Sequence, residues 1–183
     1  MEDKALIEFI ETIGKLKRTP RTGWVKEKIN NPESVAEHSW RTAVLSLVLA
    51  KPYLDNNKLV KMAVVHDLEE AITGDIIAMV KEADKETYNK RGIEAMEKIC
   101  SIIGNKEGEE LLGLFEEYEK LESEEAKFLK QVETLEMLMQ AYEYGKEQPE
   151  KKAALQPFFT GRTERIITDP EIKRIYQLLI SYL

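Results

Sequence analysis

Leu59-Val60-Lys61-Met62-Ala63-Val64-Val65-His66-Asp67-Leu68-Glu69-Glu70-Ala71-Ile72-Thr73-Gly74-Asp75 begins as a helix and ends as a cluster of reactive side chains. Leu59, Met62, Ala63 and His66 recur at the three- and four-residue spacing of one helical face. Where that face should stay apolar, the chain sets histidine and aspartate side by side. On a helix advancing about 100° per residue, Asp67 points that far from His66, and Glu70 falls at about 40°, between the two and one turn on. One imidazole and two carboxylates therefore converge at the C-terminal end of the helix. Thr73-Gly74 reads as its stop, with Gly74 free to take the left-handed conformation. Asp75 follows on the exit loop and can fold a further carboxylate over the same spot. Taken alone, the stretch fits equally a solvated, acid-rich helix end with a hydrogen-bonded core histidine.

On either side the chain keeps helical periodicity. Residues 3–17 form an amphipathic pattern with Leu6, Ile10, Ile13 and Leu16 on one stripe. Ser34 and Glu37 make a capping box that opens a helix to about residue 50. His38 sits in its first turn, at the border of the apolar face. After an apolar connector, Ile76 to Val80, Asp84 caps a helix carrying Ile93, Met96, Ile99, Cys100 and Ile103, stopped at Gly104. Another helix spans about 107–121, with Leu111, Leu114, Phe115 and Tyr118. Ser123 caps a long one with Ala126, Leu129, Val132, Met137 and Ala141 on its stripe, and Glu133 lies inside that stripe. A carboxylate there needs a partner or a metal; a salt bridge to Lys130, or a reach for solvent, answers as well. Residues 145–168 are looser. Asp169-Pro170 opens a final helix with Ile172, Ile175, Tyr176, Leu179 and Leu183 on one face. No segment alternates, so the expected fold class is all-α.

The loop between the first two helices, Lys17-Arg18-Thr19-Pro20-Arg21-Thr22-Gly23-Trp24, gathers three cations in a chain of net charge −7. They suit a helix C-terminus, whose dipole favours cations, or a phosphate, whose oxygens match the arginine fork.

The net charge argues against a surface that tracks a nucleic-acid polymer. A small phosphorylated substrate needs only local cations and stays open. Cys100 is the single cysteine, which excludes an internal disulfide and a cysteine metal cage. No apolar run approaches membrane-spanning length, and Glu2, Asp3 and Lys4 do not fit a signal peptide. A cytoplasmic protein without membrane partners is the expectation.

His38, the His66-Asp67 pair and Glu133 stand on three separate expected helices. Two imidazoles and two carboxylates suit one hard-to-borderline divalent ion: Mn²⁺, Co²⁺, Mg²⁺ or Zn²⁺. At these residues the chain resembles the HD-domain superfamily of metal-dependent phosphohydrolases, whose pattern is a histidine, an adjacent His-Asp and a distant aspartate. Within it the chain is most similar to the 5′-deoxynucleotidases. The matching strings are Lys17-Arg18-Thr-Pro-Arg21-Thr-Gly-Trp24, Ser34-Val-Ala-Glu-His38-Ser, His66-Asp67-Leu-Glu-Glu70-Ala-Ile-Thr-Gly-Asp75 and Glu136-Met-Leu-Met-Gln-Ala-Tyr-Glu-Tyr144.

The resemblance implies one HD-domain helical bundle over 1–183, usually dimeric, with metal-site motifs at 34–38, 59–75 and 126–144. It implies metal ligands at His38, His66, Asp67 and Glu133, catalytic roles for Glu70 and Asp75, and substrate contacts from Arg18, with Arg21 and Trp24 of the same string. The implied activity is removal of the 5′-phosphate from (deoxy)nucleoside monophosphates. Hydrolysis of a cyclic nucleotide, a triphosphate or an alarmone is the alternative within the class, and a non-catalytic helical metal-binding protein the alternative outside it. The chain departs from the family pattern in Glu133, one methylene longer than the aspartate expected there, and in Thr19, where some relatives carry tryptophan.

Overall fold

The computed structural model describes residues 2–182, and among them every regular element is helical. In chain order these are α1 (Asp3–Ile13), α2 (Thr22–Lys26), α3 (Val35–Leu49), α4 (Asn56–Val65), α5 (Glu70–Thr73) and α6 (Ala78–Ala83). They continue with α7 (Lys85–Ile103), α8 (Asn105–Lys120), α9 (Glu124–Glu147), α10 (Lys152–Leu155), α11 (Arg162–Ile166) and α12 (Pro170–Ile180). Short 3₁₀ turns follow α1, precede α10 and precede α11.

The helix starts follow from local hydrogen-bonding chemistry. Ser34 Oγ accepts from the Glu37 amide at 3.2 Å while the Ser34 amide donates to Glu37 Oε2 at 2.6 Å, the capping box that opens α3. Ser123 accepts from the Ala126 amide at 3.2 Å at the head of α9, and Asp84 from the Thr87 amide at 3.4 Å at the head of α7. At the head of α12, Asp169 Oδ1 accepts from the amides of Glu171 and Ile172 at 2.9 and 3.1 Å, and Lys51 pairs with it at 3.2 Å.

Asp169→Ala is expected to cost about 1 kcal/mol, which a melting curve reads as roughly 2–4 °C for a chain of this size. Burial would raise the Asp169 carboxyl, but the amides and Lys51 outweigh it and hold it below its ordinary value. The stabilisation is therefore present above the ordinary aspartate range and lost as pH falls through the lowered folded value. Wild-type and variant melting temperatures should converge in acid.

Four expectations are corrected. The 59–75 stretch is not one helix: α4 ends at Val65, and residues 66–69 tighten into turns. Leu68 donates to the Val65 carbonyl at 2.9 Å, and Glu70 to that of Asp67 at 3.2 Å, before α5 resumes. The angular positions of a continuous helix therefore do not hold beyond His66. Gly74 ends α5 at φ 73° and ψ 162°, a positive-φ region essentially reserved for glycine though not the left-handed helical one. The stretch 76–80 is not a plain connector, because it leads into α6 from Ala78. On α1 the expected stripe is buried only at its C-terminal end: Ile13 and Leu16 pack inward, joined by Phe9, whereas Leu6 is 41% and Ile10 54% exposed. The reason is that α1 lies on the outside, against α7 and α5 only along that inward line. Leu183, assigned to the α12 stripe, lies outside the described residues.

The core has two parts. One surrounds α9 and holds Leu59, Met62, Leu129, Val132, Leu135, Leu138, Trp24, Tyr144 and Phe159. The other joins α7, α8 and the end of α4 through Val65, Leu68, Met96, Ile99 and Phe115, with Val35 of α3. His38 follows Val35 by one turn, His66 follows Val65, and Glu136 follows Leu135. The seam between the two parts is where the polar residues are buried.

A two-stranded clasp fixes the α1–α2 loop to the head of α3. The Arg21 amide donates to the Glu33 carbonyl, and the Val35 amide to that of Thr19, both at 2.9 Å, around the isolated bridge of Pro20 with Ser34. Arg21 is thereby held in register with the head of α3, which carries His38.

Candidate metal centre and active site

His38 (α3), His66 and Asp67 (the turn after α4) are all buried and offer donor atoms within 4.8 Å of one another. Asp67 Oδ2 lies 3.3 Å from His66 Nε2 and 3.7 Å from His38 Nε2. Donors sharing one ion at about 2.1 Å stand roughly 3.0–3.4 Å apart, so the two Asp67–histidine separations are at or within a few tenths of an ångström of that range.

The protonation states of His66 and Asp67 fit as well. His66 Nδ1 donates to the Ala63 carbonyl at 2.8 Å, which leaves the lone pair on Nε2. Among the described residues that buried Nε2 has no hydrogen-bond partner, a costly arrangement unless another group takes it up. Burial lowers the His66 pKa, only partly offset by Asp67 and Glu133, so the ring is neutral near pH 7. Asp67 is pushed up by burial but held well below the ordinary carboxylate range by His66, Arg21 and His38. A neutral imidazole and a full carboxylate are the states that bind a divalent ion.

Glu133 stands beside this triad. Its Oε2 is 3.5 Å from His66 Nε2 and accepts from the Tyr118 hydroxyl, while its Oε1 takes Lys130 Nζ at 2.5 Å. Burial raises its carboxyl, but Lys130 and His66 outweigh that and bring it to about 2. The salt bridge to Lys130 and the approach to His66 are both present.

Around the triad, Arg21 donates from one guanidinium nitrogen to Asp67 Oδ2 at 3.1 Å and to Asp75 Oδ1 at 3.2 Å. Asp75 is anchored further by the Thr22 amide at 2.5 Å, and its backbone carbonyl by the Thr22 hydroxyl at 2.7 Å. Glu70 is 2% exposed; Lys81 donates to its Oε1 at 3.1 Å, and its Oε2 has no partner among the described residues. Arg18 ends the 3₁₀ turn with its side chain exposed, and among the described residues its guanidinium makes no ion pair. Trp24 is 2% exposed, donates its indole N–H to Glu33 Oε1 at 2.9 Å and stacks beside Phe158 and Tyr144.

Sequence reasoning assigned no role to four charged residues here. Glu136, 0% exposed, accepts from His38 Nδ1 and, at 2.7 Å, from Arg41 Nε. Lys81 reaches Glu70 from α6. Glu33 is pushed up to about 7 by burial and by Glu136. A signal for Glu136 existed: it is the one acid in Leu135-Glu-Met-Leu-Met139. A lone lysine after the apolar run 76–80 was the corresponding signal for Lys81.

The sequence profile of the HD domain family matches residues 13–175. A human protein, 5′-deoxynucleotidase HDDC2, is 39% identical over 172 residues, covering 94% of this chain and 83% of its own. The 5′-deoxynucleotidase hdd1 of Schizosaccharomyces pombe is 33% identical over 173 residues, covering 92% and 85%. Among solved structures, a conserved hypothetical protein from Pyrococcus furiosus superposes with a TM-score of 0.76 at 31% identity, over 96% of this chain and 99% of that one.

Proposed function

This chain belongs to the HD domain family, and on that premise we propose that it is a metal-dependent phosphohydrolase releasing the 5′-phosphate of nucleoside monophosphates, deoxynucleotides among them. The observation that carries the reading is the pair of buried imidazoles whose Nε2 atoms meet Asp67 at one point, one of them with no other partner. Mn²⁺, Co²⁺, Mg²⁺ and Zn²⁺ suit this nitrogen–oxygen set, with Glu133 as a fourth ligand. A bound ion would polarise a phosphoryl oxygen and acidify a water. Glu70 holds or moves that water's proton with its unpartnered Oε2. Arg21 and Lys81 supply positive charge to the dianionic phosphate. Asp75 keeps Arg21 aimed and faces the sugar, and Trp24 supports the loop on which the substrate rests. The deciding experiment is a phosphate-release screen over nucleoside 5′-monophosphates, triphosphates and cyclic nucleotides with each of the four ions. Release from 5′-deoxynucleotides, lost on chelation and restored by metal, is expected. Turnover confined to triphosphates or cyclic nucleotides would overturn the substrate assignment.

Arg18 is the substrate's phosphate clamp in this reading, because among the described residues its guanidinium makes no ion pair, whereas Arg21 already holds Asp67 and Asp75 through one nitrogen and contributes mainly charge. A charge-assisted hydrogen bond is worth roughly 1.5–3 kcal/mol, so Arg18→Ala should lower kcat/KM by about 10–100-fold with an unchanged melting temperature. Arg18→Lys should recover only part, since lysine lacks the fork. Normal kinetics in Arg18→Ala beside a large loss in Arg21→Ala would reassign the clamp to Arg21.

The same reading makes the protein a cytoplasmic homodimer. No helix among the described residues is long and apolar enough to cross a membrane, and the free thiol of Cys100 suits a reducing compartment. Trp40, Val44, Leu47 and Val48 form an outward apolar stripe on α3, 68%, 41%, 57% and 74% exposed. A stripe of this kind supports a self-complementary interface. Light scattering at micromolar concentration should give twice the chain mass, and Trp40→Glu should halve it.

A further inference from the structure

The two metal-facing histidines are backed differently. Behind His66 stands a neutral carbonyl, that of Ala63, at 2.8 Å. Behind His38 stands the carboxylate of Glu136. A carbonyl fixes the tautomer of a ligating ring; a carboxylate fixes it and also raises the basicity of the nitrogen that faces the ion. Glu136 is in turn fixed. Arg41, three residues after His38 on α3, donates to its Oε1 at 2.7 Å, and the two remaining nitrogens of that guanidinium reach Glu143 at 2.7 Å and Gln140 at 2.6 Å. Glu136, Gln140 and Glu143 follow one another at helical spacing on α9, so the three acceptors form a single rail for one fork.

One turn earlier on the same helix, Glu133 faces His66, yet both its oxygens are engaged by Lys130 and Tyr118. Its negative charge is largely committed before any ion arrives. Glu136 is likewise paired, with Arg41, but its second oxygen is given to His38 Nδ1, so it is the acid that bears directly on the back of a ligating ring.

We infer that Glu136, locked by Arg41, is a positioning residue that sets the affinity of the centre for its divalent ion through His38. The inference rests on the metal-binding reading above, and its test is binding rather than turnover. Metal-free protein is titrated with Mn²⁺, free ion being followed by electron paramagnetic resonance. Glu136→Gln keeps the volume and an acceptor for Nδ1 but removes the charge, and Mn²⁺ affinity should fall about 10–100-fold. Arg41→Lys should give a smaller loss in the same direction. This chain has only two histidines, so imaginary crowding of signals is no obstacle: the ¹⁵N ring resonances of His38 should move in Glu136→Gln while those of His66 stay. A folded Glu136→Gln with wild-type Mn²⁺ affinity would overturn the inference, leaving Glu136 a strut between α3 and α9. Should that variant not fold, unchanged affinity in Arg41→Lys overturns it instead. If wild-type protein binds Mn²⁺ but releases no phosphate, the nucleotidase reading fails while this one is still decided by the titrations.

Discussion

Glu70→Gln is expected to lower kcat by about 10²–10⁴-fold, the range a positioned acid–base group contributes, while Mn²⁺ affinity stays within a few-fold of wild type. Glu70 is buried, and one of its oxygens is spoken for by Lys81 while the other has no partner. Burial first, and then the neighbouring Asp67, raise its carboxyl well above the ordinary range, partly offset by Lys81. A carboxyl shifted in that direction exchanges protons more readily near neutral pH than an ordinary glutamate. Glutamine fills the same space and still accepts from Lys81, but it cannot take a proton. Phosphate release at saturating Mn²⁺, measured beside a Mn²⁺ titration, separates the possibilities. Wild-type kcat would remove Glu70 from water activation, and a collapse of affinity would make it a ligand instead.

Asp67→Asn should be the more severe change, because it removes the anion on which the centre converges. Asp67 Oδ2 alone faces both imidazoles and Arg21, at 3.3, 3.7 and 3.1 Å. An amide offers a neutral oxygen and leaves Arg21 with Asp75 as its remaining acid. Mn²⁺ affinity should fall by more than the roughly 10–100-fold that loss of an outer partner costs, and phosphate release at micromolar Mn²⁺ should drop below detection. The melting temperature of the metal-free variant checks that the fold survives. Retained affinity would place the ion elsewhere, with the Glu33–His38–Glu136 group as the next set of donors within reach of one another.

What could be read from the sequence was whatever depends on near neighbours. Ser34 with Glu37, Asp84, Ser123 and Asp169 announce helix starts because each caps an amide two or three residues on, and Gly74 and Gly104 announce stops because positive φ suits them. The His66-Asp67 pair stood out because charge interrupted an apolar face. The break after Val65 did not, since the periodicity through Glu70 is equally good for a continuous helix. Nor did the place of Phe9 on α1: Leu6 and Ile10 are as apolar as Phe9, and only the position of α7 chooses between them. Glu133 drew attention over Glu136 because periodicity places a residue on its own helix, whereas the neighbour that gives it work, here His38 of α3, is 98 residues away. Arg21 meets Asp67 across 46 residues, and nothing local to either announces it.

The clasp between Thr19–Arg21 and Glu33–Val35 bears on how this enzyme could acquire new substrates. Surface loops ordinarily gain and lose residues freely, and substrate range commonly changes that way. Here the segment from Thr19 to Val35 is closed at its neck by backbone hydrogen bonds and anchored within by buried Trp24 and Ile29. An inserted residue at the neck would shift Arg21 and His38 relative to each other and disable the centre before it altered selectivity. The segment around α6 is built differently: α6 contributes no buried residue, and Met79 and Val80 lie open beside the inward reach of Lys81. Diversification, natural or engineered, therefore has one permissive side, residues 76–84 apart from Lys81, and one that is closed to it.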